Sequence, residues 1–272
     1  MRWTGGWPVL ALVTGAVAAA TTAAGLAVGA AVPGLGMFAA IFTGLVGTLV
    51  VLTVARLCRV RLPVPAPTVL VAGSVAASIA AIVIFLRREP AAAQYLPPAA
   101  AACLAVALVG CIWIAVASPK WLGTNRLAPH LGAAAGVAFA GWFLLAFRAD
   151  ESEPPLPLVL VLGAVLTLAP AGAFFVPAFA AGRVSRSFRS GLQAVVWALI
   201  VAMPLTYALW LPMGLDRHAI DGRSLDGEVV VPVGTNLTDA LIFCLGIFPV
   251  IGLMFGVLGA GLGARTIRSP AD

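Results

Sequence analysis

Residues 98–118 read PAAAACLAVALVGCIWIAVAS, an apolar run without one charged residue. Its length matches the ~20 residues that a helix needs to cross a ~30 Å hydrocarbon core. Inside hydrocarbon no water is available to bond backbone N–H and C=O groups, so only helices and closed barrels can span. Barrel strands are ~9–11 residues long and alternate in polarity, whereas this run is about twice as long and does not alternate. The helix is the reading that fits.

Comparable runs lie on both sides of this one. They predict spans at about 7–32, 35–57, 67–86, 98–118, 127–147, 156–182, 191–212 and 238–264, which makes the chain a single transmembrane domain. The first two are parted only by Val32-Pro33-Gly34-Leu35-Gly36, a proline–glycine turn signal that makes a tight hairpin. The first run is too long for the ~7–15-residue apolar region of a cleaved signal peptide. The fold expected is therefore all-α: a polytopic bundle of about eight transmembrane helices.

Composition leads to the same class. The chain is 62% hydrophobic and 10% charged, with a mean hydropathy of +1.08, against about 45–50% and about 25% in soluble domains. A soluble fold of 272 residues keeps too much exposed surface to hide that apolar content. The net charge of +6 and the pI near 9.9 would suit a nucleic-acid binder. The basic residues instead fall in short stretches between apolar runs, where positive-inside anchoring accounts for them. No nucleic-acid partner is expected; the lipid bilayer is.

The same residues orient the chain. With the N-terminus inside, the cytoplasmic face collects Arg2, Arg56, Arg59, Arg61, Lys120, Arg126, Arg183, Arg186, Arg189, Arg265 and Arg268. The opposite face holds only Arg87, Arg88, Arg148, Arg217 and Arg223. Positively charged loops stay in the cytoplasm, so both termini are expected there. Among the acids, only Asp272 falls inside. Arg makes up all but one of the basic residues, and Ala, Gly, Val and Pro abound. That composition points to the cell (inner or plasma) membrane of a bacterium with a high-GC genome.

Catalytic and metal-binding patterns are missing from the sequence. No HExxH, CxxC or GxSxG occurs. His130 and His218 are predicted on opposite sides of the membrane, too far apart to share a metal. Cys103 and Cys111 stand ~12 Å apart along one helix, beyond disulfide reach; with Cys58 and Cys244 they read as small buried hydrophobes. The predicted membrane interiors hold no charge, and Asp239 stands at the outer end of the eighth span. A charge at mid-bilayer costs at least ~2.5–3.5 kcal/mol and is normally kept for function. Proton-coupled pumps, voltage sensors and intramembrane aspartic or zinc proteases are accordingly disfavoured. Neither a cofactor nor catalytic residues are expected.

Three features remain as places for function. Interior prolines fall only in the last three spans: Pro170 and Pro177, then Pro204, then Pro249. Each removes a helical hydrogen bond, which makes these positions candidate hinges, although proline is also simply commoner in membrane helices. The predicted external loop, residues 214–237, carries Asp216, His218, Asp221, Asp226 and Glu228, with turns at Asp221-Gly222 and Asp226-Gly227. A small hairpin around Val229-Val230-Val231 is plausible there, and Thr238 and Asp239 suit an N-cap for the last helix. Beside this loop, Thr206, Tyr207 and Trp210 near the outer end of the seventh span complete a candidate ligand or partner region.

Small-residue pairs at Gly25/Gly29, Gly132/Gly136 and Gly252/Gly256 make GxxxG spacings that let helix backbones approach. They support tight internal packing more than any one dimer, and leave protein partners or a homo-oligomer through these faces open. Together these features suggest a non-enzymatic accessory, structural or permease-like membrane component. The alternatives are a transporter or channel for a neutral or lipid-like solute, using the kinked last spans, and an interfacial lipid-modifying enzyme dependent on the Asp216–Glu228 loop.

Overall fold

The computed structural model describes residues 66–117, 125–150, 156–221 and 232–265. Every element among them is helical: α1 (Ala66–Arg88), α2 (Pro98–Ala117), α3 (Leu127–Asp150), α4 (Leu156–Ser185), α5 (Phe188–Asp221), α6 (Thr235–Ile242) and α7 (Phe248–Arg265). A 3₁₀ turn, Pro90–Tyr95, follows α1, and a π-helical turn, Phe243–Ile247, joins α6 to α7. Among the described residues, six apolar segments are long enough to cross a membrane, with α6, the π turn and α7 counting as one of 31 residues. The chain thus has the architecture of a multi-pass membrane protein. The first two predicted spans, 7–32 and 35–57, lie outside the described residues.

Six consecutive crossings must alternate in direction, and the contacts show that they do. On α3, Gly132 lies against Ala194 and Gly136 against Ala198 of α5, and Phe143 stacks on Trp210, so these two helices run together. Along α7 the order reverses: Gly256 meets Val195, Gly252 meets Leu199 and, just before it, Phe243 meets Trp210. Helices α4 and α7 are parallel, with Phe175 on Gly259 and Phe179 on Gly263. At the opposite ends of α1 and α2, Thr68 donates to the carbonyl of Ala115, which sets that pair antiparallel.

The starts of α1, α3 and α5 therefore share one end of the bundle with the ends of α2, α4 and α7. Among the described residues that end carries Arg126, Arg183, Arg186, Arg189 and Arg265 and no acid. Arg87, Arg88, Glu89, Arg148, Asp150, Asp216, Arg217, Asp221 and Asp239 belong to the other.

At the centre stands α5, with 89% of its apolar stretch buried by the other helices, against 22% for both α2 and the α6–α7 segment. An apolar helix buried all round needs no amphipathic stripe. Peripheral helices show one apolar face inward and another outward. On α7 the outward set is Val250, Leu253, Met254, Val257, Leu258 and Leu262, spaced as one helical face. These residues face the region that lipid would occupy.

The central packing is made possible by glycine. A Cβ on Gly132 would lie 2.2 Å from the carbonyl oxygen of Ala194, one on Gly256 2.3 Å from Val195 Cγ2, and one on Gly259 or Gly263 2.4 Å from the carbonyl oxygen of Phe175 or Phe179. The GxxxG pairs on α3 and α7 are thus used inside the chain, where a missing side chain lets two backbones meet. Gly25 and Gly29 lie outside the described residues.

Helix α4 ends in a Schellman motif. Ser187 N–H reaches back to the carbonyl of Gly182 at 3.1 Å, and Arg186 N–H to that of Arg183 at 3.4 Å. Between them Arg186 takes the left-handed conformation (φ 50°) that usually falls to glycine. This turn swings the chain directly into α5.

Two expectations need correction. The external loop was expected from residue 214, but α5 runs on through Pro212 to Asp221, and α6 begins at Thr235. The cause is burial: Leu211, Leu215 and Gly214 still pack inward, so the apolar face of α5 outlasts its proline. The proposed hairpin at Val229-Val230-Val231 lies outside the described residues. Thr238 and Asp239 do not cap the last helix, because it starts a turn earlier, after Gly234, with no side-chain cap. Trp210, read as part of a candidate ligand or partner region, is 8% exposed and packed among aromatic rings.

Candidate functional site

A set of buried polar groups gathers where the C-terminal half of α5 meets α6 and the 3₁₀ turn. Tyr207 on α5 is buried, and its hydroxyl donates to the carbonyl of Leu237 at 3.2 Å. One turn further on, Trp210 Nε1–H donates to Asn236 Oδ1 at 3.2 Å. The amide nitrogen of Asn236 donates in turn to the carbonyl of Val233 at 3.0 Å, so this fully buried side chain is bonded at both ends. Thr238 Oγ1 donates to the carbonyl of Tyr95 at 2.5 Å. Gly214 allows the approach, since a Cβ there would lie 2.6 Å from Asn236 Cγ; Gly234 does the same for the ring of Tyr95, at 2.3 Å. Buried polar atoms are tolerated when they are bonded, and here the bonds clamp α6 onto the end of α5.

Below the clamp lies an aromatic block. Phe143 stacks on Trp210 at 5.4 Å between centroids, and Trp210 meets Phe243 at 5.5 Å. Phe139 touches Phe248 at 4.5 Å, Phe174 at 5.6 Å and Trp142 at 5.0 Å. The π turn Phe243–Ile247 sits within this block, one residue before Pro249. Proline has no N–H, so the carbonyl of Leu245 loses its helical partner; a single wide turn is a usual way to absorb such a break.

Thr206 faces this turn. It falls on the same side of α5 as Leu199, which meets Gly252, and Trp210, which meets Phe243. Its side chain is wholly buried and its hydroxyl has no hydrogen-bond partner. The indole N–H of Trp142 and the Oε1 of Gln193 are likewise buried without one.

The structure therefore unites three of the eight candidate residues, Thr206, Tyr207 and Trp210, and places them in packing rather than on an open surface. Asp216 lies on the last turns of α5, half-buried and engaged with its surroundings. His218 and Asp221 complete the same helix, while Asp226 and Glu228 lie outside the described residues. Of the candidate hinges, Pro170 and Pro177 lie within α4 and Pro204 within α5, where Ser78 on α1 donates to the Pro204 carbonyl. Pro249 stands at the second position of α7. Pro212, expected to end its span, is interior as well.

Sequence reasoning missed Asn236, which reads as part of a glycosylation sequon, and Tyr95. The available signal for Asn236 was an amide entering an apolar run, which must find partners if buried. His130 Nδ1 lies 2.9 Å from the Arg126 carbonyl at the start of α3, the end of the bundle opposite His218. Among the described residues no three His, Cys, Asp or Glu side chains are grouped to hold a metal ion. Cys103 is exposed on α2, and Cys111 and Cys244 are buried; all three are free thiols.

No protein-family model matches the chain, and no curated protein or solved structure matches it either.

Proposed function

We propose that this chain is a non-enzymatic component of a bacterial cell membrane, crossing it eight times with both termini in the cytoplasm. It acts through the surfaces it offers to other membrane components rather than by transforming a substrate. The observation that supports this reading is the sealed centre. Helix α5 is 89% buried along its apolar stretch, and Tyr207 and Trp210, the side chains best suited to hold a ligand, bond to α6 instead. The basic end of the bundle, with Arg183, Arg186 and Arg189 at the α4–α5 turn, supports the orientation.

Two experiments test it. The tagged chain, solubilised from its native membrane in mild detergent, is expected to co-purify with a defined partner. A reporter fused at Arg186 is expected to be active only in the cytoplasm. A chain that purifies alone and moves a solute across proteoliposomes would overturn the functional reading. A periplasmic or extracellular signal at Arg186 would overturn the topology.

A second reading, passage of a neutral or lipid-like solute along the last three spans, is favoured by one feature. The wide turn before Pro249 and the buried, unbonded Thr206 hydroxyl lie on facing helices. Its test is flux in proteoliposomes, where Thr206→Val should reduce transport while leaving the thermal stability intact.

A further inference from the structure

We propose that the outward groove between the ends of α4 and α7 is a binding site for an anionic phospholipid, whose headgroup phosphate is held by Arg183 and Arg265. The inference rests on the membrane reading and on neither functional alternative.

The two helices run side by side in the same direction. A Cβ on Gly259 would lie 2.4 Å from the carbonyl oxygen of Phe175. One on Gly263 would lie 2.4 Å from that of Phe179 and 3.0 Å from the amide nitrogen of Arg183. One side of this seam faces α5, since a Cβ on Gly191 would lie 2.5 Å from Ala260 Cβ and 2.8 Å from the carbonyl oxygen of Ala178. The other side is open, and there Val176 of α4 and Leu258 and Leu262 of α7 are exposed. Val176 stands one position after a seam residue; Leu258 and Leu262 each stand one position before. A step forward on one helix and a step back on its parallel neighbour, each about 100°, turn to the same side.

Two charges stand at the head of this groove. Arg183 follows Val176 by seven residues, and Arg265 follows Leu258 by seven. Seven residues are two turns, which return each arginine to within about 20° of the apolar residue ~10 Å below it. Both arginines are exposed, and each lies in the last turn of its helix. The contact of Gly263 with the Arg183 backbone sets them at one depth. Arg183 holds its guanidinium over the ring of Phe179, 5.9 Å from the centroid. Phe179 in turn stacks on Phe175 at 5.9 Å between centroids.

Charge and apolar surface together identify the occupant. Among the described residues this end of the bundle carries Arg126, Arg183, Arg186, Arg189 and Arg265 and no acid. At the other end acids stand among the arginines: Glu89 beside Arg88, Asp150 two residues after Arg148, and Asp216 beside Arg217. Guanidinium groups take phosphate oxygens through paired parallel hydrogen bonds, and basic pockets between membrane helices hold anionic headgroups. A soluble anion would use the arginines and leave Val176, Leu258 and Leu262 bare. A lipid satisfies both parts, with its phosphate on the arginines and an acyl chain descending over the apolar residues below.

The test is native mass spectrometry of the full chain, delipidated in mild detergent and titrated with phosphatidylglycerol or phosphatidylcholine of the same acyl chains. The unaltered chain is expected to bind phosphatidylglycerol about fivefold or more tightly than phosphatidylcholine, as attraction of one net charge implies. Arg183→Gln combined with Arg265→Gln should weaken phosphatidylglycerol binding by roughly tenfold or more. Both side chains are exposed, so the replacement spares the packing. The control pair, Arg87→Gln with Arg88→Gln at the opposite end, should bind as the unaltered chain does. Millimolar inorganic phosphate should not displace the lipid.

Phosphatidylglycerol bound no better than phosphatidylcholine by the unaltered chain overturns the proposal, whatever the variants do. So does an equal loss in the control pair, because the attraction is then diffuse. Displacement by inorganic phosphate overturns it in favour of a soluble anion. Unchanged lipid binding in the double variant overturns it as well, and loss of a co-purifying protein from that variant would assign the arginines to an acidic partner. A chain that binds neither lipid and stays dispersed without detergent overturns the membrane reading together with the site.

Discussion

Replacing Gly132 with Ala adds one methyl group to the contact between α3 and the central helix. That methyl would lie 2.2 Å from the carbonyl oxygen of Ala194, 2.6 Å from Trp197 Cβ and 3.0 Å from the amide nitrogen of Ala198. Two of these atoms belong to the backbone of α5 and the third is a β-carbon, so no side-chain rotation relieves the clash. Restoring an ordinary carbon–oxygen separation of about 3.4 Å requires α3 and α5 to part by roughly 1 Å, which weakens the dispersion contacts along their shared length.

Overpacking a well-filled interior costs about 1–3 kcal/mol, and a rigid backbone obstacle puts this site near 3. Gly→Ala within a helix contributes about 1 kcal/mol in the other direction through propensity, leaving a net loss of about 2 kcal/mol. At about 2–4 °C per kcal/mol for chains of this size, the midpoint should fall by about 4–8 °C. Gly141, on the same helix, supplies the control. Nothing lies within 4 Å of the Cβ position there, so Gly141→Ala keeps the propensity gain and should raise the midpoint slightly. The assay is thermal unfolding in detergent followed by tryptophan emission, with Trp197 beside the altered site. Equal midpoints for the two variants, or a Gly132→Ala protein as stable as the parent, would refute the packing argument.

Other perturbations test separate parts of the structure. Asn236→Leu removes both hydrogen bonds of that buried side chain, among them the acceptor of the Trp210 indole N–H; a loss of about 1–3 kcal/mol is expected, read as a lower unfolding midpoint with altered tryptophan emission. Arg186→Gly should raise stability by about 0.5–1 kcal/mol, because glycine takes the left-handed Schellman position without the Cβ penalty; a lower midpoint would contradict the motif. Thr206→Val keeps the shape and deletes a buried hydroxyl with no partner. It should leave stability unchanged or raise it by about 1–2 kcal/mol, and a marked loss would mean that the hydroxyl is bonded in the membrane.

Much of the architecture was legible in the chain because hydrocarbon imposes one severe rule. Where no water reaches the backbone, an apolar run of about twenty residues has little choice but to form a helix. The residues of α1, α2, α3 and α4 were therefore placed from sequence to within a few positions. Likewise, Arg126, Arg183, Arg186, Arg189 and Arg265 could be assigned to one end before any contact was known, since charge placement is a local property of loops.

The extent of α5 was not legible. Pro212 is a stop signal by local chemistry, and only the burial of Leu211, Gly214 and Leu215 carries the helix past it. Nor could the sequence show that the fifth of the described crossings is the central one, since an apolar helix facing lipid and an apolar helix facing protein have the same composition. Tertiary structure made that distinction, and with it changed the meaning of the candidate site. Tyr207 and Trp210 read as parts of a candidate ligand or partner region, and Asn236 as part of a glycosylation sequon; packed together they hold α6 on α5. The sequence by itself determined that these helices are long and apolar enough to cross a membrane, because solvation acts on each segment alone. Which faces meet was decided only in three dimensions, where Gly132, Gly256 and Gly259 let backbones approach more closely than any side chain would allow.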